Sequence, residues 1–251
     1  LVFSPYFPTY PANIARRGAR MVLSSLRAAR AFRPDLDDVR RFLQEDPRAK
    51  GIFLNSPHNP TGGVTTEEDL QGLADLIRGR DIAVFSDEPY DCMVWDGRHQ
   101  SLLAQPGMLD QTVAAYTFSK SFSMSGWRLG YAVSSPDTVN VFDLLTNTAL
   151  SCVPPFTQAA GIAALQDGRQ YRDGRMREFH RKVQLLVAGL NAVEGVSCLA
   201  PGGTFYVFPS VAAICNRDTI TSHGLAMYLL EGADDALGVA CLGGECFGEA
   251  G

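Results

Sequence analysis

Three short apolar runs in this chain each end in a cluster of polar residues. Gly51-Ile52-Phe53-Leu54 leads into Asn55-Ser56-Pro57-His58-Asn59-Pro60-Thr61-Gly62, and Ile82-Ala83-Val84-Phe85 leads into Ser86-Asp87-Glu88-Pro89-Tyr90. Thr112-Val113-Ala114-Ala115-Tyr116-Thr117-Phe118 leads into Ser119-Lys120-Ser121. Runs of this length and make-up, bounded by turn residues, read as buried strands. Amphipathic stretches lie between them. Leu36, Val39, Phe42 and Leu43 recur at helical spacing after Pro34-Asp35, and Thr65, three residues before Glu68, reads as the capping box of a helix with Leu70, Leu73, Leu76 and Ile77 on its apolar face. The alternation predicts an α/β fold, a mostly parallel sheet flanked by helices. Ligands bind such sheets beyond the carboxyl ends of the strands, so the polar clusters are expected to converge.

Helical sequence resumes near Pro154-Pro155. From Tyr171 to Val193 a long amphipathic pattern carries Met176, Phe179, Val183, Leu186 and Leu190 on one face. Gly202-Gly203-Thr204-Phe205-Tyr206-Val207-Phe208 then reads as a strand of a second, smaller α+β unit. The expected division is a large domain over 1–175 and part of a small one over 176–251. At 251 residues the chain can bury a core without disulfide staples. Its formal charge of −5 argues against a nucleic-acid surface, which needs clustered cations. Cys92, Cys152, Cys198, Cys215, Cys241 and Cys246 form no C-x-x-C pair, and the longest apolar runs are too short to cross a bilayer. Reduced thiols and a cytoplasmic location are the expectation. The chain starts at Leu1 without Met and ends in a glycine-rich stretch, so it is expected to be a piece of a longer protein lacking both ends.

Each cluster suggests a chemistry. Lys120 follows an apolar run among the hydroxyls of Thr117, Ser119, Ser121, Ser123 and Ser125, with no neighbouring carboxylate. A partly desolvated amine of this kind suits Schiff-base chemistry, although a lone lysine is more often a surface residue. Arg128, eight residues on, offers a planar cation for a phosphate monoester. Asp87 ends a buried run and needs a cationic or hydrogen-bonding partner, either a protonated ring nitrogen or a structural arginine. Tyr90 offers a hydroxyl to an anionic oxygen but is also a plain core aromatic. Asn59-Pro60-Thr61-Gly62 by itself is a tight turn. Together these groups meet the needs of pyridoxal 5′-phosphate.

Asn59-Pro60-Thr61-Gly62, Asp87-Glu88-Pro89-Tyr90 and Ser119-Lys120-Ser121-Phe122-Ser123-Met124-Ser125-Gly126-Trp127-Arg128-Leu129-Gly130 resemble, in order and spacing, the signatures of the class I/II pyridoxal-phosphate aminotransferases. Gly202-Gly203-Thr204-Phe205-Tyr206 is similar to that family's small-domain strand. The resemblance implies that Lys120 holds the cofactor as an internal aldimine and then shuttles the substrate α-proton. It implies that Asp87 keeps the ring nitrogen protonated, that Tyr90 and Asn59 bind the phenolate oxygen, and that Arg128 and Thr117 grip the phosphate. Thr117 departs mildly from the family's usual Ser or Gly but keeps the hydroxyl. Phe7 falls where the family places the ring that stacks on the cofactor, with Tyr6 and Tyr10 as alternatives. An amino acid and a 2-oxo acid are the implied substrates, and a homodimer the implied assembly.

Two other functions compete with transamination: a cofactor-dependent carbon–sulfur β-lyase, and an aminotransferase-like sensor domain of a transcription regulator. His58, His99, His180 and His223 show no metal-ligand spacing, and neither a dinucleotide-binding nor a P-loop glycine motif occurs. Arg16-Arg17 and Arg40-Arg41 read as solvated faces.

Overall fold

A computed structural model describes residues 1–215, 220–233 and 236–248. Six strands form one sheet: β1 (Val2–Ser4), β2 (Leu23–Ser25), β3 (Gly51–Asn55), β4 (Ala83–Asp87), β5 (Thr112–Thr117) and β6 (Gly130–Val133), in the order β2-β1-β3-β4-β5-β6. All neighbours are parallel except β5 and β6. The α/β architecture with a mostly parallel sheet is therefore present. The expected strands are β3, β4 and β5.

Helices α1 (Tyr10–Arg16), α2 (Leu36–Glu45) and α3 (Glu67–Ile77) belong to this unit. Asp35 caps α2 by accepting from the Asp37 amide at 3.1 Å. Val39 and Phe42 of α2 and Leu70, Leu73, Ala74 and Ile77 of α3 pack on Ile52, Leu54 and Val84 of the sheet. The capping box of α3 lies one residue later than the sequence suggested. Thr66 accepts from the Asp69 amide and Asp69 accepts from the Thr66 amide, whereas Thr65 is buried and bonded to Ser56 Oγ through both its amide and its hydroxyl. A buried threonine with its hydroxyl committed elsewhere cannot cap a helix.

After β6 come α4 (Pro136–Ala149), α5 (Pro155–Asp167), α6 (Arg169–Asn191) and α7 (Ser222–Glu231). On α6, Met176 and Val183 are buried as the pattern suggested, but Leu186 is exposed. The run from Gly202 to Phe208 is not a strand: it makes only an isolated bridge between Val94 and Gly203. Its backbone bonds instead to the turns that follow β3 and β4, with the Gly203 amide donating to Gly62 O at 3.0 Å and the Thr204 amide to Met93 O at 2.8 Å. No helix among the described residues is long and apolar enough to cross a membrane.

Candidate active site

Strand pairing brings the polar clusters together. Asn55 at the end of β3 lies opposite Asp87 at the end of β4, and its side chain spans the two. Nδ2 donates to Asp87 O at 2.7 Å while Oδ1 accepts from the Asn59 amide at 2.8 Å. The whole turn from Asn55 to Gly63 is buried. Within it the His58 Nδ1 lies 2.8 Å from Thr61 Oγ1, and burial lowers the imidazole to about 3, so His58 is a neutral core residue.

Asp87 is half-buried. Tyr10 Oη donates to its Oδ2 at 2.5 Å, and Oδ1 has no hydrogen-bond donor among the described residues. Burial raises the carboxyl above the ordinary carboxylate range, the Tyr10 hydrogen bond opposes that, Glu88 adds to it, and Lys120 opposes it. Of Tyr6, Phe7 and Tyr10, Tyr10 is thus the one that hydrogen-bonds Asp87. Phe7 is exposed and packs edge-on against the Tyr10 ring at 5.9 Å.

The chain has three lysines. Lys50 pairs with Asp81, and Lys182 with Glu178. Lys120 alone has no hydrogen-bond or ion-pair partner among the described residues; its Nζ lies 5.8 Å from the ring centroids of both Tyr90 and Phe205. Its loop is held by Phe118, Met124 and Leu129, which pack with Phe122 of the loop, Val153 before α5, and Ala160 and Ala164 of α5. Tyr90 is 2% exposed and shares a 3.0 Å hydroxyl contact with Tyr206. Burial, then Tyr206 and Asp87, push its hydroxyl above the ordinary phenol range, and the Asn59 side chain acts against them.

Thr117 and Ser119 lie at the end of β5, and Arg128 lies just before β6. Thr117 Oγ1 donates to Ser119 Oγ at 2.9 Å and accepts from the Ser119 amide at 3.1 Å. Arg128 follows closely because Thr117 pairs with Gly130 across β5 and β6. Its guanidinium is exposed and donates to Ser125 O at 2.7 Å, from a left-handed residue with φ of 54°. A non-glycine residue in that region is a costly choice, and such residues gather at functional sites. Arg128 and Thr117 share no direct hydrogen bond.

The Aminotransferase class I and II family model matches residues 1–250. The chain belongs to that family. It is 30% identical over 257 residues to aspartate aminotransferase of Rhizobium meliloti (strain 1021), covering 99% of this chain and 61% of that protein. It is 31% identical over 249 residues to arginine–pyruvate transaminase AruH of Pseudomonas aeruginosa, again 99% of this chain and 61% of that one. Among solved structures, aromatic aminotransferase from Pyrococcus horikoshii OT3 superposes with a TM-score of 0.89 at 31% identity, over 100% of this chain and 65% of that one. The chain thus spans about three fifths of the length of the curated relatives it matches.

Aminotransferases of this family depend on pyridoxal phosphate. The donor set fits that group: an unpaired amine at Lys120, a carboxylate oxygen of Asp87 without a donor, buried Tyr90 and Asn59 beside them, and the hydroxyls and guanidinium of Thr117, Ser119 and Arg128. Asn55, Phe205 and Tyr206 lie in segments the sequence marked, but the pattern gave none of them a site role. Their roles are contacts across 32 residues from Asn55 to Asp87 and 116 from Tyr90 to Tyr206, which local spacing does not encode.

Proposed function

We propose that the chain carries the cofactor site of a pyridoxal-phosphate-dependent aminotransferase that moves an amino group between an L-amino acid and a 2-oxo acid. The observation that carries this reading is the unpaired Lys120 amine at the end of β5, beside Asp87 at the end of β4 and over the Tyr90 ring. Bound pyridoxal phosphate supplies an electron-withdrawing ring that stabilises negative charge at the substrate α-carbon. Lys120 would anchor it covalently, and its amine is the group that would carry the substrate α-proton. Asp87 holds the proton on the ring nitrogen. Tyr90 and Asn59 would bind the ring oxygen, and Thr117 and Arg128 would bind the phosphate. Phe7 and Tyr10 are the candidate flanking rings.

Relatives are named for aspartate, aromatic amino acids and arginine, so the substrate is proposed only as a class. The division at 175/176, which falls inside α6, is likewise proposed, as are the cytoplasmic location and the homodimer. Leu144, Leu145, Leu150 and Phe156 are exposed apolar residues that a partner subunit would cover.

The test is borohydride reduction after incubation with pyridoxal phosphate, followed by peptide mapping. A pyridoxyl adduct on Lys120 that disappears in Lys120→Ala is expected. Adducts confined to Lys50 or Lys182 would contradict the reading. With an amino-acid donor and 2-oxo acid acceptor, a new amino acid is the expected product; ammonia with pyruvate would indicate β-elimination.

A further inference from the structure

Glu88, next to Asp87, is 1% exposed, and the proposed function gives it no part. Successive strand residues point to opposite faces, and β4 obeys this pattern: Val84 and Ser86 are buried on the side that carries Glu88. Four donors converge on the Glu88 carboxylate. Ser86 Oγ and Ser101 Oγ reach Oε1 at 2.6 and 2.8 Å, while His99 Nε2 and Tyr116 Oη reach Oε2 at 2.6 and 2.7 Å. They come from β4, from the loop before residue 102 and from β5, and the Tyr131 ring of β6 stacks on Tyr116 at 5.0 Å. An isolated buried carboxylate would be neutralised or excluded. Here burial alone raises the Glu88 carboxyl, but the hydrogen bonds from His99, Ser86 and Tyr116 outweigh it and leave the group below its ordinary range. A carboxylate acceptor requires that His99 Nε2 carry the proton. The groups facing Asp87 are Tyr10, Lys120 and Tyr90, and Glu88 acts on it from the other side of the strand.

We propose that Glu88 is a positioning residue for Asp87: anchored by four donors on the far face of β4, it keeps a fixed negative charge behind the Asp87 carboxylate and strengthens it as an acceptor for a cationic N–H group. The proposal rests on the role assigned to Asp87, and its test needs no cofactor. Protein carrying ¹³C-carboxyl aspartate is titrated by NMR without added pyridoxal phosphate, the Asp87 signal being assigned with Asp87→Asn. Glu88→Gln removes the charge and nearly keeps the shape. Three of the four donors are hydroxyls, which also accept and can therefore receive the amide. The Asp87 proton affinity is expected to fall about tenfold. Tyr116→Phe removes one donor but leaves the charge; it should lower the urea midpoint yet keep the Asp87 affinity within about twofold. Should Glu88→Gln fail to fold, Glu88→Met combined with His99→Leu replaces the buried pair with apolar groups, and the Asp87 proton affinity is again expected to fall, by less than in Glu88→Gln because the His99 charge is removed with that of Glu88. An unchanged Asp87 midpoint in the folded charge-free protein, or an equal shift in Tyr116→Phe, would overturn the proposal. Because the readout is a carboxyl titration, failure of the cofactor reading would leave it interpretable.

Discussion

Tyr10 donates its hydroxyl to Asp87 Oδ2 at 2.5 Å, joining the first turn of α1 to the end of β4 across 77 residues of sequence. This bond is the main force opposing burial at that carboxylate. Tyr10→Phe removes the donor and little volume, so the Asp87 proton affinity should rise and the chain should lose about 1–2 kcal/mol of stability. Carboxyl NMR and urea unfolding measure the two effects. A proton affinity that stayed constant or fell would mean that the hydroxyl is not what holds Asp87 ionised.

Asp87 and Glu88 are expected to give pH dependences of opposite sign. Asp87 is raised on folding, so its contribution is fully present below the ordinary value of about 3.9 and is lost as pH rises through the higher folded value. Glu88 is lowered, so its contribution is fully present above about 4.3 and is lost as pH falls through the lower folded value. Relative to Asp87→Asn, the unsubstituted chain should therefore lose stability on going from acid toward neutral pH. Relative to Glu88→Gln it should lose stability on acidification. Urea unfolding over a pH series distinguishes these slopes, and two slopes of the same sign would contradict whichever assignment predicts the other sign.

The hydroxyls of Tyr90 and Tyr206, 3.0 Å apart, link the end of β4 to the segment after α6. Their rings also meet at 5.7 Å, edge to face. A double-mutant cycle with Tyr90→Phe and Tyr206→Phe isolates the hydroxyl pair, because both rings remain. A coupling of about 0.5–1.5 kcal/mol in unfolding free energy is expected. Additive single effects would show that each hydroxyl is satisfied separately.

What could be read from sequence was local or periodic. The central strands and α2, α3, α5 and α6 announce themselves through apolar period and through turn residues such as Pro34-Asp35 and Pro154-Pro155. Thr65 and Thr66 are both competent caps by residue type, and only the burial of Thr65 against Ser56 decides between them. Edge strands β2 and β6 are short, at three and four residues, and carry too little pattern to stand out. Gly202 to Phe208 has strand-forming residues, yet its hydrogen-bonding partners are turns, so β propensity was overridden by tertiary context. The aromatic beside Asp87 could not be chosen among Tyr6, Phe7 and Tyr10 without knowing how α1 meets β4. The three signatures, by contrast, are local, and each lies at or just after a strand end, so strand order alone was enough to group them at one edge of the sheet.

Gly62 closes the turn that carries Asn59, and two independent constraints exclude a side chain there. Its φ is +72°, a region that L-residues enter at a cost of about 1 kcal/mol. A Cβ would also stand 2.2 Å from Pro201 Cβ and 2.9 Å from Gly203 O, and neither a proline ring nor a backbone carbonyl can swing away as a flexible side chain would. The same glycine accepts the Gly203 amide at 3.0 Å, so forcing the segments apart breaks that bond as well. Gly62→Ala should therefore cost about 2–4 kcal/mol, the backbone penalty plus overpacking of about 1–3 kcal/mol. Gly79 provides the control: its φ is +74° but a Cβ there meets nothing within 4 Å, so Gly79→Ala should cost only the backbone share, about 1 kcal/mol. Urea unfolding of the two variants compares them directly. Since Asn59 rides on the same turn, Gly62→Ala should also weaken pyridoxal phosphate binding, followed by absorbance, whereas Gly79→Ala should not. Equal stability losses at the two glycines would mean that the turn does not press against Pro201, and Asn59 would then owe its position to Asn55 and to the hydrogen bonds within the turn.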